Sequence, residues 1–136
     1  MPSARTLGLL SEIEFQKQAL SRGLKVSTPT NPTERYDLIV DNGKALYRVQ
    51  VKRTSVKKPT RSGEKYSFEL KGSRRGSQYT LDEVDYFALH IMPSDIWYII
   101  PSVTLEQVST ISLYPGSKKS RYEKYNAAWV LMLHED

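Results

Sequence analysis

Tyr36-Asp37-Leu38-Ile39-Val40-Asp41-Asn42-Gly43-Lys44-Ala45-Leu46-Tyr47-Arg48-Val49-Gln50-Val51-Lys52 is the stretch whose reading decides the fold. Two aliphatic, β-branched runs flank Asp41-Asn42-Gly43-Lys44, and Asn and Gly accept the positive φ that a tight turn demands. The segment therefore reads as strand, turn, strand. Side chains on the second strand alternate, with Leu46, Arg48, Gln50 and Lys52 on one side and Tyr47, Val49, Val51 and Arg53 on the other. A hairpin of this length brings Asp37 alongside the far end of the second strand, near Gln50 and Lys52. A carboxylate, an amide carbonyl and an ammonium then converge.

That convergence suits metal-dependent hydrolysis of a phosphodiester. A hard divalent cation such as Mg²⁺ takes oxygen ligands, and a nearby ammonium orients the attacking water or stabilises charge developing on phosphorus. Asp37 followed by Gln50-Val51-Lys52 resembles the core of the PD-(D/E)XK nucleases, with Gln in the place of the second acid. The flanking residues, Arg35 to Asp41 and Tyr47 to Lys52, are similar to the small bacterial branch associated with group I introns. The resemblance runs from about Gly8 to about Pro115. Tyr36 stands where the family has proline, but the chemistry needs the carboxylate and not the ring before it.

The resemblance implies an α/β, restriction-endonuclease-like core with a mixed, mostly antiparallel sheet flanked by helices. It implies a homing endonuclease that cuts a specific site in double-stranded DNA with Mg²⁺, for which Mn²⁺ substitutes. Glu12, Asp37 and Gln50 are the expected metal ligands, the Val51 carbonyl is a further one, and Lys52 positions water or steadies the transition state. Spacing alone favours a solvated helix carboxylate for Glu12 over one turned towards the sheet. Within Gly8-Leu9-Leu10-Ser11-Glu12, the resemblance makes it the helical acid of the metal site.

At 136 residues the chain is read as one endonuclease domain, residues 1–136, small for an enzyme that must grip a long site. A homo-oligomer, dimer or tetramer, is the expected remedy. The net charge of +5 favours a polyanionic partner. Absence of cysteine excludes disulfides and thiolate zinc sites, and two histidines are too few for a His-rich centre. No apolar run reaches membrane-spanning length and no signal peptide is apparent, so a soluble cytoplasmic protein without a membrane partner is expected.

Along the chain, Arg5 to Arg22 has helical periodicity, with Leu9, Leu10, Ile13 and Leu20, flanked by Phe15 and Ala19, forming a broad apolar face stopped by Gly23. Leu24 to Thr28 reads as a short strand and Pro29 to Arg35 as a loop. From Arg53 to Arg75 basic residues concentrate: Arg53, Lys57, Lys58, Arg61, Lys65, Lys71, Arg74 and Arg75 against only Glu64 and Glu69. Lys65 to Leu70 alternates as a strand between loop-like segments, Ser55 to Gly63 and Gly72 to Ser77. Such a ribbon fits a DNA groove, and it also fits an ordinary solvated face.

Tyr79 to Asp85 reads as a capped helical turn, with Asp85 satisfying backbone donors. Tyr86 to Ile91 and Asp95 to Ile100 are apolar strands around Met92-Pro93-Ser94, and His90 reads as a satisfied ring, not a base. Pro101 to Val108 begins a helix and Ile111 to Pro115 is extended. In the tail, Lys118 and Lys119 are further DNA contacts, while Ala127 to Leu133 packs on the core or a second subunit. Further strands from Lys65 to Ile100 are expected to close the core. The alternatives within the fold are a restriction or repair nuclease and a Holliday-junction-resolving nuclease. Outside enzymology, Gln50 leaves open an inactive DNA-binding protein.

Overall fold

Ser3 opens the first element: its hydroxyl accepts the Thr6 N–H at 3.1 Å, an N-cap for α1, Ala4–Ser21. Gly23 ends it at φ 83°, a conformation only glycine adopts without cost. In the computed structural model the described residues are 2–31, 34–55, 57–60 by backbone alone, 63–70 and 83–133. The strands that follow are β1 (Lys25–Ser27), β2 (Leu38–Asp41), β3 (Leu46–Thr54), β4 (Lys57–Thr60), β5 (Gly63–Glu69), β6 (Tyr86–Ile91), β7 (Ile96–Pro101) and β8 (Thr110–Leu113).

The hairpin turn is built from its own side chains. Asp41 Oδ1 accepts the Gly43 N–H at 2.8 Å, and Asn42 Oδ1 accepts those of Lys44 and Ala45 at 2.9 and 2.8 Å. This fixes an antiparallel register in which Leu38 faces Val49 and Asp41 faces Leu46. β3 then pairs parallel with β6, and β6 antiparallel with β7, giving the sheet order β1-β2-β3-β6-β7. The central sheet is mixed and mostly antiparallel, a restriction-endonuclease-like arrangement.

Its two faces are both covered. Val49, Val51, Ala88, Trp97 and Ile99 pack with Phe15 and Ala19 of α1 and with Trp129. The alternate residues Phe87, Leu89, Ile91, Tyr98 and Ile100 pack with Tyr66, Phe68, Ile111 and Leu113. Each fully buried side chain of this size stabilises the fold by about 1.5–3 kcal/mol.

Two expectations are corrected. Leu9, Leu10, Ile13 and Leu20 are 46–60% exposed, whereas Ser11, Phe15 and Ala19 are buried. At about 100° per residue, Leu9, Ile13 and Leu20 share one meridian on the far side of the helix from Phe15 and Ala19. One stripe alone can meet the sheet. Phe15 takes it because Trp97 and Trp129, with ring centroids 5.6 and 5.3 Å away, make its socket.

The second correction concerns Ser55 to Gly63, read as loop, which contains β4 paired with β5. Pro59 is tolerated there because β4 is an edge strand of a second, three-stranded sheet, β4-β5-β8. β5 belongs to this second sheet and closes the core as expected, with Tyr66 and Phe68 buried against Phe87, Leu89 and Ile100 of the central one. Pro101 to Val108 yields one 3₁₀ turn, Ser102–Leu105, and the apolar tail another, Trp129–Met132, with Trp129 and Met132 buried. The turn expected from Tyr79 to Asp85 falls largely on residues 71–82, outside the described residues. Among the described residues no helix is long and apolar enough to cross a membrane.

Asp85 satisfies backbone donors as expected. Its Oδ2 accepts the Arg48 N–H at 2.7 Å and Nε at 3.1 Å, and its Oδ1 accepts Nη2 at 3.2 Å. Burial pushes this carboxyl up, but the Arg48 hydrogen bonds and charge outweigh it and hold it below the ordinary range. Asp85→Ala is expected to lose about 1 kcal/mol in urea denaturation at pH 7, discounted for exposure. The difference should vanish as pH falls below the usual Asp range, because a depressed carboxylate contributes stability only above it.

Candidate active site

Asp37 sits one residue before β2, and its N–H extends the ladder by donating to the Val49 carbonyl at 2.9 Å. The register continued by one residue sets it opposite Gln50. Its Oδ2 then accepts the Val51 N–H at 2.8 Å. Beyond Val49 no described strand lies on the β2 side of β3, so this edge is open. Residues two apart on a strand turn their N–H and C=O the same way, so the Val51 carbonyl faces the open edge with its N–H.

A cleft of about 320 Å³ occupies this edge, lined by Glu12, Asp37, Gln50, Val51 and Lys52. All five expected catalytic and metal-binding residues are thus brought together. Glu12 reaches it because on the helix it lies about 20° from the meridian of buried Ala19, towards the sheet. Gly8 and Ser11 of α1 and Arg53 of β3 complete the lining. Arg53, expected at DNA, also donates from Nη2 to the Ala4 carbonyl at 3.2 Å, tying the start of α1 to β3.

The charges explain each other. Burial, and then Asp37 beside it, push the Glu12 carboxyl up to about 7. Burial also raises Asp37, against the lowering effects of the Val51 N–H and of Lys52. Lys52 is pushed down by burial, with Asp37 and Glu69 pulling it back up and Arg35 adding to the depression. Two carboxylates that resist ionisation in a shared cleft mark a candidate functional site.

The oxygen set fits that reading. Gln50 Oε1 is buried and, among the described residues, without a hydrogen-bond partner, a costly arrangement for an amide unless something else takes its lone pair. Two carboxylates, this amide oxygen and the Val51 carbonyl form a hard donor set suited to Mg²⁺ or Mn²⁺. Among the described residues no three His, Cys, Asp or Glu gather, so the site has Gln50 where a third acid would stand.

The basic residues are less concentrated on the cleft. Lys65 lies on β5, with Lys58 opposite it in the backbone register and Lys57 opposite Tyr66. Tyr66 and Phe68 are buried, so Lys65 alternates to the outer face of this sheet. Arg61, Lys71, Arg74 and Arg75 fall outside the described residues. Lys118 and Lys119 are exposed near the turn at Gly116 and do not line the cleft.

Sequence reasoning missed Gly8 and Ser11 as lining, although spacing by three and four from Ser11 and Glu12 would have found Gly8. It also missed Glu69 and Arg35 as charges acting on Lys52. Arg35 is paired with Glu83 at 3.1 Å, and no local pattern announces that partnership. His90 is a satisfied ring as read: Ser11 Oγ lies 2.8 Å from Nδ1, Asp95 Oδ1 lies 2.7 Å from Nε2, and Trp97 stacks on it with centroids 4.0 Å apart.

The family model described as PD-(D/E)XK endonuclease matches residues 3–132. No curated protein matches in sequence. Among solved structures, a bacterial homing endonuclease, I-Ssp6803I, is 25% identical with a TM-score of 0.80, over 97% of this chain and 94% of that one. Hjc, a Holliday junction resolvase from the archaeal hyperthermophile Archaeoglobus fulgidus, is 15% identical with a TM-score of 0.61, over 95% and 98% of the two chains, a likeness of fold alone.

Proposed function

Because the chain belongs to the PD-(D/E)XK endonuclease family, we propose that it is a Mg²⁺-dependent, site-specific endonuclease of double-stranded DNA, of the homing type. The observation that carries the metal reading is Gln50 Oε1, buried without a hydrogen-bond partner among the described residues, in a cleft shared with two carboxylates of raised pKa. The homing reading rests on the likeness to the bacterial homing endonuclease over nearly the whole chain.

Glu12, Asp37, Gln50 and the Val51 carbonyl would hold the ion, which would supply Lewis-acid polarisation of the scissile phosphate and acidification of the attacking water. Lys52 faces the same space as an ammonium. It orients the attacking water and counters the charge that builds on the phosphate oxygens as the P–O bond to water forms and the P–O ester bond to the leaving oxygen breaks. Asp37, fixed by the Val51 N–H, cannot swing away from the edge. Lys65 and Arg53, with the other basic residues of the Arg53 to Arg75 segment and Lys118 and Lys119, contact phosphates and hold the duplex across the opening.

One centre cuts one strand, so a double-strand break takes two copies or a dimer of dimers. The exposed Leu9, Ile13 and Leu20 stripe supports a second copy, because monomers rarely leave such a face uncovered.

The test is cleavage of a randomised duplex library with Mg²⁺, with product ends sequenced and the complex on the selected site sized by light scattering. A long specific target bound by an oligomer is the expected result. A short target would move the function to restriction, preference for branched substrates to junction resolution, and enrichment by binding without cleavage to an inactive recognition protein.

A further inference from the structure

α1 carries Glu12 into the cleft, yet most of what holds the helix is non-directional. Phe15 and Ala19 pack against Trp97 and Trp129, contacts that fix the height of the helix above the sheet more than its rotation. The start of the helix is tied by an exposed bond, Arg53 to the Ala4 carbonyl. Between these, among the described residues, lies a buried directional link from Ser11 Oγ to His90 Nδ1 at 2.8 Å, joining residues 79 apart in sequence.

His90 is itself immobilised. It is 5% exposed on β6, stacked on Trp97 with planes 4° apart. Its Nε2 is 2.7 Å from Asp95 Oδ1, and Asp95 sits at φ 51° just before β7. A carboxylate accepts, so Nε2 carries the proton and Nδ1 accepts from the Ser11 hydroxyl. The ring therefore reads out the rotation of α1 at the residue next to Glu12.

We propose that Ser11 and His90 are positioning residues of the metal centre: their hydrogen bond, anchored by Asp95 and Trp97, sets the rotation of α1 that places the Glu12 carboxylate in the cleft beside Asp37 and Gln50. This rests on Glu12 being a metal ligand. Although Ser11 also lines the cleft, its hydroxyl is engaged by His90, and both residues act through the helix.

The experiment measures Mn²⁺ binding to the metal-free full chain by electron paramagnetic resonance, without DNA. Ser11→Ala and His90→Phe, the latter keeping an aromatic ring against Trp97, are expected to weaken Mn²⁺ by about tenfold or more, the range seen when groups that orient ligands are removed. His90→Asn, whose Oδ1 falls near the lost Nδ1 and can accept from Ser11, should stay within about threefold of the wild type. In a Glu12→Gln background measured at high Mn²⁺, Ser11→Ala should cause no further loss, because there is no carboxylate left to place.

Near-ultraviolet circular dichroism shows which variants keep native packing, and His90→Phe and His90→Asn carry the comparison if Ser11→Ala does not. Wild-type affinity in folded His90→Phe overturns the proposal, and so does a Ser11→Ala loss that persists undiminished without Glu12. A wild-type chain that takes up no Mn²⁺ overturns the metal reading and this inference together, whereas the other two outcomes leave the metal reading standing.

Discussion

Lys52→Ala is expected to slow single-turnover cleavage by about a thousandfold at saturating Mg²⁺, the scale of losing one preorganised charge at the reacting phosphate. Lys52 lies in a partly desolvated cleft with Asp37 and Glu69 favouring its charged form. In such surroundings an ammonium acts on a developing negative charge with far less screening than at the surface. DNA affinity should fall only by the share of one phosphate contact, and Mn²⁺ binding should hold or strengthen because a nearby positive charge is gone.

Asp37→Ala separates the two functions of the centre. It removes a carboxylate and the acceptor of the Val51 N–H, so it should lose metal binding along with cleavage. A Lys52→Ala enzyme within tenfold of the wild type in rapid-quench assays would take Lys52 out of the chemistry.

The second large effect is at Glu12, where function and stability oppose each other. Its carboxyl ionises at about 7 in the fold against 4.5 ordinarily. A raised carboxyl contributes stability that is present below pH 4.5 and lost as pH rises through 7, so the metal-free protein should weaken across that window. Glu12→Gln keeps the shape without the charge. In EDTA at pH 8 it is expected to be more stable than the wild type by about 1–2 kcal/mol, discounted for the exposed half of the group, or a few degrees in melting temperature.

Saturating Mg²⁺ should reverse the order, because only the wild type gains binding energy from the ion. By the same proton balance, the wild-type affinity for Mn²⁺ should drop about tenfold per pH unit below 7 and level off above it. Calorimetric melts with and without metal, and Mn²⁺ titrations from pH 6 to 8, check both. A Glu12→Gln protein no more stable than the wild type in EDTA would mean that Glu12 carries no buried charge.

What the sequence by itself determined is what depends on near neighbours. The Asp41-Asn42-Gly43 turn closes on its own side chains, so the hairpin register follows from about a dozen residues, and with it Asp37 opposite Gln50. A period of two then puts Gln50 and Lys52 on one face and buries Val49 and Val51. Asp85 was legible as structural because a carboxylate leading into a strand satisfies backbone donors, and His90 because no catalytic motif surrounds it.

Only the tertiary structure decided which stripe of α1 is buried. Leucines were the better apolar candidates, but Phe15 found a socket made by Trp97 and Trp129, over eighty residues away, and polar Ser11 could be buried because His90 receives its hydroxyl proton. The same holds for β4, whose Pro59 is acceptable only on an edge that β5 creates, and for the second sheet as a whole. Local periodicity fixes which residues share a face. Which face is covered is settled by long-range packing, where the shape of a distant ring outweighs the count of leucines.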